Sequence, residues 1–333
     1  MWRRRGVHAV GLSRSIAAPL KPIATAPLTI PHVECAARRG TLLASQRRSS
    51  TGAAFEYFGR TRVPRGEKQR MVSGVFDSVA SRYDFMNDML SGGLHRRWKD
   101  YFVFDVLRPA PNMSVLDVAG GTGDVAFRIV ESMMAQSSES KRSGDLPAVV
   151  VCDINAAMLR VGIRRALDRG MRCEYISEDL RDATTDQSSD MPLAVSVGWC
   201  VGNAEALPFK ESAFDAYTIS FGIRNVPDMS KAVREAYRVL NVGGRFLCME
   251  FSPLDDVLPG LRDMYNVYLD YGVPTAGAVL VGDRDSYQYL SESIVQFPKA
   301  IAFRQIMQTA GFRACTSTPV MGGIVHIHSG FKL

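Results

Sequence analysis

The sequence predicts an α/β fold in which a mostly parallel sheet carries helices on both faces and an antiparallel strand lies at the edge. Two patterns support this prediction. Short apolar strands alternate with helical segments, and a glycine-rich turn joins the first of these strands to a helix. Parallel neighbours need crossover helices, which pack on the two faces of a sheet. Two further candidate strands follow near the end, around residues 313–320 and 323–330.

The positive charge of the chain is concentrated in its first residues. The 333 residues carry a formal charge of +6, but residues 1–54 hold nine Lys/Arg and one acid, which leaves −2 on the remainder. This distribution gives no reason to expect a nucleic-acid partner for the body. An Arg-rich, Ser/Ala-rich, acid-poor leader is typical of a mitochondrial transit peptide, and a tail without an address is the alternative. We therefore expect a leader at 1–54 and a single domain at 55–333.

The domain is predicted to begin with a helical cap over residues 66–107, where apolar residues recur at helical spacing. A strand–turn–helix–strand unit follows. Its strands are residues 115–118 and 149–153, and its helix runs from Asp124 to about residue 134. No run of about 18 apolar residues occurs, so no transmembrane helix is expected.

The second half continues the alternation. We predict a strand at 216–220, a helix at 231–240, a turn at Gly243-Gly244 and a strand at 245–250. Two polar, Ser-rich segments are expected to be surface loops, at 136–147 and 181–192. Residues 253–297 are rich in Tyr and Gly and lack clean periodicity. They are long for a loop, which favours a functional lid over the substrate.

The glycine turn predicts a nucleotide-like ligand. It reads Gly120-Gly121-Thr122-Gly123 and follows a strand that holds Asp117. Glycines allow a ligand to approach the backbone, and Asp153 at the end of the next strand is placed to bind ribose hydroxyls. NAD, FAD and S-adenosylmethionine proteins all use such turns. The acids Asp117 and Asp124 favour S-adenosylmethionine, because they would repel a pyrophosphate but suit a sulfonium and an amino group.

Cysteine and histidine spacing predicts no metal site. The six cysteines form no C-x-x-C pair, and Cys152 and Cys248 lie in apolar runs typical of buried strands. His326 and His328 would face the same side of a strand, but they have no third ligand in the sequence pattern.

Several motifs together resemble the ubiquinone/menaquinone biosynthesis C-methyltransferase family. They are Tyr83-Asp84-Phe85-Met86-Asn87 with Ser91, His95 and Trp98; LDVAGGTGD (116–124); NAEALPF (203–209); SFGIRNV (220–226); and Arg238-Val239-Leu240 with Gly243-Gly244, Glu250 and Ser252. The resemblance covers roughly residues 70–333. The sequence departs from the family at Asn241-Val242, where Lys-Pro is usual, and in the two polar segments.

The resemblance implies a class I S-adenosylmethionine-dependent methyltransferase fold, which is Rossmann-like. It implies S-adenosylmethionine as cofactor, held by Asp117, Gly120, Gly121, Thr122, Gly123, Asp153, Asn203, Ala204 and Ser220. It also implies a polyprenyl benzoquinol as the methyl acceptor. An NAD-dependent oxidoreductase and a non-catalytic scaffold remain as alternatives.

Carbon methylation needs a nucleophilic ring carbon and a stabilised oxyanion, and four residues are the catalytic candidates. Arg224 and Asn225 follow a strand at the ligand-binding end of the sheet, and Arg224 is predicted to stabilise a phenolate directly or through a water. Tyr83 and Asp84 are candidates for contact with the ring or for proton removal. His95 is a further candidate base, and Tyr287 and Tyr289 are candidates for the pocket wall.

The leader favours the ubiquinone branch of the family over the menaquinone branch. A polyprenyl acceptor is insoluble, so we expect a peripheral protein on the matrix face of the mitochondrial inner membrane. Other ubiquinone-biosynthesis proteins and a second copy in a homodimer are the expected protein partners.

Overall fold

The computed structural model describes residues 55–64, 66–79, 87–88, 91–136, 148–183, 196–254, 261–280 and 282–333. The predicted leader at 1–54 lies outside the described residues. So do Tyr83, Asp84 and nearly all of both polar segments, apart from Gln136 at a helix end and residues 181–183 in a short 3₁₀ turn.

The predicted sheet is present. Ten strands are described: β1 Phe55–Phe58, β2 Thr61–Pro64, β3 Ser114–Val118, β4 Ala148–Asp153, β5 Arg172–Tyr175, β6 Ser196–Val201, β7 Phe214–Ser220, β8 Leu240–Phe251, β9 Arg313–Val320 and β10 Val325–Phe331. Eight of them form one sheet in the order β5-β6-β4-β3-β7-β8-β10-β9, and β1 pairs with β2. The pairs from β5 to β8 are parallel, whereas β10 runs antiparallel to both β8 and β9. The expected α/β fold is confirmed.

Helices cover both faces of this sheet. They are α1 Glu67–Val79, α2 Leu94–Asp100, α3 Asp124–Gln136, α4 Ala156–Asp168, α5 Met229–Val239, α6 Leu261–Val267, α7 Val273–Leu280, α8 Arg284–Val295 and α9 Ala300–Thr309. Helix α2 continues as a π-helical turn at Tyr101–Leu107, and a second π-helical turn at Tyr268–Gly272 joins α6 to α7. Among the described residues, we find no helix with the length and hydropathy of a membrane span.

Local sequence explains where several helices begin. The Asn155 side chain accepts a hydrogen bond from the backbone N–H of Met158 and caps α4, and Asp228 caps α5 in the same way. Such caps satisfy donors that a helix start leaves unpaired. Asn155 follows the end of β4 and Asp228 follows the loop after β7, so both helices begin near the edge of the sheet where ligands bind.

The core lies on the two faces of the central strands. In β3, Val115 packs on one face and Leu116 on the other, and Val149 and Val150 alternate likewise in β4. This period of two is expected for strands that are buried on both faces. Helices α2, α3 and α4 cover the first face, while α5 and α9 cover the second. Cys152 and Cys248 are buried free thiols, as predicted.

Two predictions of local structure are wrong. Gly243-Gly244 is not a turn before a strand, because β8 runs continuously through it from Leu240. Gly243 has φ +85, and its N–H donates to the carbonyl of Lys332 at 2.6 Å, so the glycine forms an irregularity inside a paired strand. The prediction was wrong because it took the two glycines as the end of one element and the start of the next.

The segment 253–297 is also not loop-like. Its described residues form α6, the π-helical turn, α7 and α8. Leu269, Val273 and Leu290 belong to a small separate core cluster of these helices. Apolar residues on more than one side of this segment obscured the helical period, since Leu269 and Val273 are buried in the cluster whereas Met264 and Val279 are exposed.

Candidate active site

A cleft lies along the carboxyl ends of β6, β4, β3 and β7. Residues that follow these four strands line it, among them Asn203, Asp153, Gly120 and Ser220. The strands are neighbours in the sheet, so residues distant in sequence meet at one edge. Ligands of open parallel sheets bind at this edge. All nine residues that were predicted to hold a cofactor lie in the turn or on the wall of this cleft, and eight of them line it directly: Asp117, Gly120, Gly121, Thr122, Asp153, Asn203, Ala204 and Ser220.

The glycine turn has the backbone geometry that its composition predicts. Gly121 and Gly123 have φ of +51 and +79, a left-handed conformation that is costly for other residues. A Cβ on Gly120 would lie 2.7 Å from Val151 Cγ1 and 2.8 Å from Asp117 Oδ2. Gly123 does not line the cleft but closes the turn, since its N–H donates to the Gly120 carbonyl at 2.9 Å. Glycine at position 120 therefore allows the turn to pack closely against Val151 and Asp117, which a larger residue would prevent.

Asp153 ends β4 and is fixed by backbone donors. Its Oδ2 accepts from the Gly121 N–H at 2.9 Å, and its Oδ1 accepts from the Asn155 N–H at 2.8 Å. Burial raises the pKa of Asp153 to about 6, although these two hydrogen bonds act in the opposite direction. The carboxylate is thus oriented before any ligand arrives, and each oxygen keeps lone pairs for hydroxyl groups.

Asp117 is the most buried acid of the cleft. The Thr218 hydroxyl donates to its Oδ1 at 2.7 Å, and its Oδ2 is buried without a partner among the described residues. Burial raises the pKa of Asp117 to about 7, against the Thr218 hydrogen bond and the charge of Lys99. A half-satisfied carboxyl in a cleft fits a cationic ligand, which would supply the missing partner and favour the ionised form.

Asp124 does not offer a free charge, contrary to its predicted role beside a cation. Its Oδ2 lies 2.8 Å from Lys99 Nζ, and its Oδ1 pairs with Arg128. Burial alone would raise the pKa of Asp124, but the charges of Lys99 and Arg128 hold it well below its usual range. Sequence analysis missed Lys99, a buried cleft residue next to the family residue Trp98. The cleft's one half-satisfied acid near the turn is therefore Asp117, among the described residues.

The far end of the cleft carries the polar residues expected near an adenine. The Asn203 side-chain oxygen accepts from the Glu205 N–H at 2.9 Å, so its amide nitrogen remains available to a ligand. Ala204 and Gly202 line the wall beside it. At the opposite end, the Ser220 hydroxyl is buried without a partner in the described part of the chain. Two such unpartnered groups, on Asp117 and Ser220, mark this end as the place for polar atoms of a ligand.

The structure separates the two catalytic candidates that it describes. Asn225 lines the cleft, and its side-chain oxygen accepts from the Tyr289 hydroxyl at 3.0 Å. The Arg224 guanidinium points away from the cleft and pairs with Glu250 at 2.6 Å. It also donates to the Phe221 carbonyl and to the Ser293 hydroxyl. The predicted role of Arg224, to stabilise a phenolate directly or through a water, stays a prediction, and in this arrangement buried Glu250 engages the guanidinium.

The other aromatic and histidine candidates do not themselves line the cleft. Tyr287 is fully buried and packs against Gly277, whereas Tyr289 stacks on Phe58 with ring centroids 4.1 Å apart. His95 is a buried residue of α2, and its Nε2 lies 2.9 Å from Asp88 Oδ1. Burial lowers the pKa of His95, and the charge of Lys99 adds to this effect. His95 therefore lies against Asp88 and does not line the cleft, and its role as a base stays a prediction.

His326 and His328 face the same side of β10, as the alternation predicts. Their rings stack at 6.0 Å, and the Ser317 hydroxyl lies 2.7 Å from His328 Nδ1. Burial and the neighbouring His326 lower the pKa of His328 to about 3. The described residues contain no group of three or more side chains that could hold a metal ion.

Comparison with known proteins identifies relatives that match nearly the whole domain. A sequence model of the ubiE/COQ5 methyltransferase family matches residues 64–332. The Oryza sativa subsp. japonica protein named 2-methoxy-6-polyprenyl-1,4-benzoquinol methylase, mitochondrial, is 44% identical, covering 83% of this chain and 88% of that protein. The Dictyostelium discoideum protein of the same name is 43% identical over 83% and 86%. The ubiquinone/menaquinone biosynthesis C-methyltransferase of Methylobacterium nodulans is 47% identical over 83% and 96%.

Proposed function

The chain belongs to the ubiE/COQ5 methyltransferase family, and from this premise we propose that it methylates a ring carbon of 2-methoxy-6-polyprenyl-1,4-benzoquinol with S-adenosylmethionine as donor. This reaction is a step of ubiquinone biosynthesis. The observation that carries the proposal is the match of residues 64–332 to the family, and it is supported by a cleft lined by eight of the nine residues proposed to hold the cofactor.

The cleft fits S-adenosylmethionine along its length. Asn203 and Ala204 would hold the adenine, Asp153 the ribose hydroxyls, and the glycine turn the backbone-facing side of the cofactor. Asp117 would neutralise the cofactor's amino group, and Ser220 would hydrogen bond at the same end. Thr122 is buried in the turn and lines the wall between the two ends. Every unpartnered polar atom named above is thereby satisfied.

The donor would supply a methyl group bound to a sulfonium sulfur. When the ring carbon bonds to this methyl group, the bond between methyl and sulfur breaks and the rest of the donor departs as a neutral thioether. The chain's residues must orient the acceptor ring, exclude water and remove the proton that the methylated carbon gives up. Asn225 and Tyr289 are placed for orientation, since they join by a hydrogen bond at the wall of the cleft. Burial raises the pKa of Tyr289, so its hydroxyl stays protonated and acts as a donor.

We assign Arg224 a positioning role. Its ion pair with Glu250 and its bond to the Phe221 carbonyl fix the loop 221–226, which carries Asn225 to the cleft. The pair is nearly neutral, so the charge of Arg224 offers little direct stabilisation to an oxyanion. Tyr83 and Asp84 remain proposed for ring contact and proton removal, and both lie outside the described residues.

The menaquinone reaction is the second candidate, because the Methylobacterium relative carries both quinones in its name. Two relatives named as mitochondrial favour the ubiquinone reaction. They also support a mitochondrial location with 1–54 as a transit peptide. We further propose peripheral attachment at the matrix face of the inner membrane, contact with other ubiquinone-biosynthesis proteins, and a homodimer. Residues 253–297 are proposed as the substrate lid.

Methyl transfer from labelled S-adenosylmethionine tests the function. The acceptors are a short-tailed 2-methoxy-benzoquinol and a demethylmenaquinol of equal tail length, both kept reduced. We expect the label in a C-methyl product of the benzoquinol, identified by mass spectrometry. Transfer to the naphthoquinol alone would favour the second candidate, and transfer to neither would contradict both.

A further inference from the structure

A second cavity, which we call the apolar pocket, lies beside the cofactor cleft. It is lined by Leu94 and Trp98 of α2, Phe251 at the end of β8, Leu269, Leu290 and Ile324. Its remaining described lining is apolar or aromatic apart from Ser91, whose hydroxyl already donates to the Asn87 carbonyl. Among the described lining residues, the polar side-chain groups are the hydroxyls of Ser91, Tyr265 and Tyr268 and the indole N–H of Trp98, and the rest is hydrocarbon, so the pocket suits a ligand that is mostly hydrocarbon.

The sheet order places this pocket next to the reacting end of the cleft. The cleft runs from Asn203 after β6, across β4 and β3, to Ser220 at the end of β7. The next strand in the sheet is β8, and it ends at Phe251 on the wall of the apolar pocket. Adenine, ribose, reacting centre and apolar pocket thus follow one another along a single edge of the sheet.

Two aromatic rings separate the cleft from the apolar pocket. Phe221 lines the cleft and Phe251 lines the pocket, and their ring centroids are 4.8 Å apart. Trp98 contacts both rings, with centroids at 6.4 and 6.0 Å. Its chain neighbour Lys99 lines the cleft. The side chains of Phe221, Phe251 and Trp98 therefore lie at the boundary between the two spaces.

The helices around the apolar pocket expose unusually apolar surface. Met264, Val267, Tyr271 and Val279 are 59–75% exposed on α6, the π-helical turn and α7. Tyr268 and Leu269, which line the pocket, lie in that π-helical turn, a geometry that is frequent at functional sites. These helices form their own small cluster, separate from the two cores of the sheet.

We propose that the apolar pocket receives the isoprenoid tail of the methyl acceptor, with Phe221, Trp98 and Phe251 marking the boundary between tail and ring. This inference rests on the proposed function. The tail is a chain of branched hydrocarbon units, and it needs a lining that is mostly apolar. The pocket supplies such a lining at the end of β8, one strand beyond the end of the cleft at Ser220. The exposed apolar helices supply the route by which a membrane-dissolved tail enters.

A filled pocket tests the proposal. Ile324→Trp adds an indole at the pocket wall, and Leu94→Trp does so from another element. Ile301→Trp is the matched control, because Ile301 is 62% exposed on α9 and does not line the pocket. The first measurement is kcat/KM for a methoxy-benzoquinol with a three-isoprene tail, divided by kcat/KM for the same ring with a methyl in place of the tail.

We expect the tail to raise kcat/KM of the unaltered protein by at least about tenfold, since burying methylene groups strengthens binding. Either pocket variant should lower the ratio at least about tenfold, and the control should keep it. A ratio that both pocket variants leave unchanged would overturn the proposal.

A second measurement does not depend on methyl transfer. Calorimetry with farnesol, which is the tail without the ring, should show binding that Ile324→Trp or Leu94→Trp weakens at least about tenfold and Ile301→Trp does not. Farnesol that fails to bind the unaltered protein would overturn the pocket assignment even if methylation is observed. If farnesol binds but no quinol is methylated, the assignment of the pocket to an isoprenoid chain stands and the proposed function is contradicted. A pocket variant that unfolds is replaced by the other one.

Discussion

Thr218 and Asp117 are paired residues of β7 and β3, and the threonine hydroxyl donates to one carboxylate oxygen while the other oxygen faces the cleft without a partner. This pair sets a pH dependence. The pKa of Asp117 in the folded, cofactor-free protein is about 7, above its value of 3.8 in a model compound. Burial in the cleft favours the protonated carboxyl of Asp117, whereas a cationic ligand beside it would favour the ionised carboxylate.

We therefore expect cofactor affinity to rise with pH until about 7 and then level off, because binding below the pKa must first remove a proton. The limiting slope is about tenfold per pH unit. The stability of the cofactor-free protein should change in the opposite sense. Because the pKa of Asp117 is higher in the folded than in the unfolded protein, its contribution to folding stability is fully present below about pH 4 and is lost as the pH rises through about 7.

Calorimetric titration and thermal unfolding between pH 5.5 and 8.5 measure both effects. Asp117→Asn should flatten both profiles and weaken cofactor binding, whereas exposed Asp105→Asn should change neither. A steep affinity profile in Asp117→Asn would assign the titration to another group, with Asp153 as the next candidate because its pKa is about 6.

Gly120→Ala should lower cofactor affinity more than it lowers stability. The added methyl would lie 2.7 Å from Val151 Cγ1 and 2.8 Å from Asp117 Oδ2, so the turn must shift into the cleft. We expect a loss of about 1–3 kcal/mol in binding free energy, the scale of overpacking. Gly74→Ala is the control, since its Cβ would meet nothing within 4 Å on exposed α1. That change should stabilise the protein by up to about 1 kcal/mol. Equal cofactor affinity in both folded variants would contradict the account of the turn.

Arg224→Ala should destabilise the protein strongly. It leaves the carboxylate of Glu250 buried without its partner, which typically costs about 3–5 kcal/mol of unfolding free energy. Burial raises the pKa of Glu250, while Arg224 acts against that rise. Chemical denaturation measures the loss. Arg238→Ala is a comparison, because its pair with Glu235 is partly exposed and should contribute much less.

The double variant Arg224→Met with Glu250→Gln separates stability from turnover. It removes both charges, so most of the stability should return. If Arg224 positions Asn225, kcat should still fall about tenfold or more, with cofactor affinity nearly unchanged. Arg224→Lys should rescue only partly, because an ammonium lacks a second nitrogen: in the guanidinium, Nη1 bonds Glu250 and the Phe221 carbonyl while Nε bonds the Ser293 hydroxyl. Normal kcat in the folded double variant would remove Arg224 from the mechanism.

Tyr289→Phe should lower kcat without changing cofactor affinity. The hydroxyl donates to Asn225 at 3.0 Å, and the ring keeps its stack on Phe58 without the hydroxyl. The loss of one neutral hydrogen bond corresponds to about 0.5–1.5 kcal/mol. Single-turnover methylation at saturating cofactor gives the rate. An unchanged rate would show that Asn225 does not depend on Tyr289 for its orientation.

The sequence was sufficient for features that depend on neighbours in the chain. The glycine turn, Asp153 at a strand end and the alternation of β3 and β4 all follow from local pattern. Lys99 with Asp124 and Arg224 with Glu250 do not, because each pair joins residues 25 or 26 positions apart on different elements. No periodicity encodes that pairing. Arg224 looked available for a substrate because its partner could not be seen.

The hairpin of β1 and β2 and the helices of 261–295 were missed for a different reason. Strands of four residues carry too few alternations to detect, and β1 alternates only between exposed and half-buried positions. Helices α6 to α8 are apolar on more than one side, since one side packs, another lines the apolar pocket and a third is exposed. A helix with this distribution lacks the single apolar face by which an amphipathic helix is recognised in a sequence.

The position of β10 has a consequence for how the protein is made. This strand is hydrogen-bonded to both β8 and β9, yet the ribosome synthesises it after both of them. Until β10 emerges, the edge of β8 has no partner, and β9 has nothing to join. From the synthesis of β8 until β10 emerges, the nascent chain thus carries an open strand edge, with the aggregation hazard that such edges bring. Pairing of β10 closes this edge and joins β9 to the sheet.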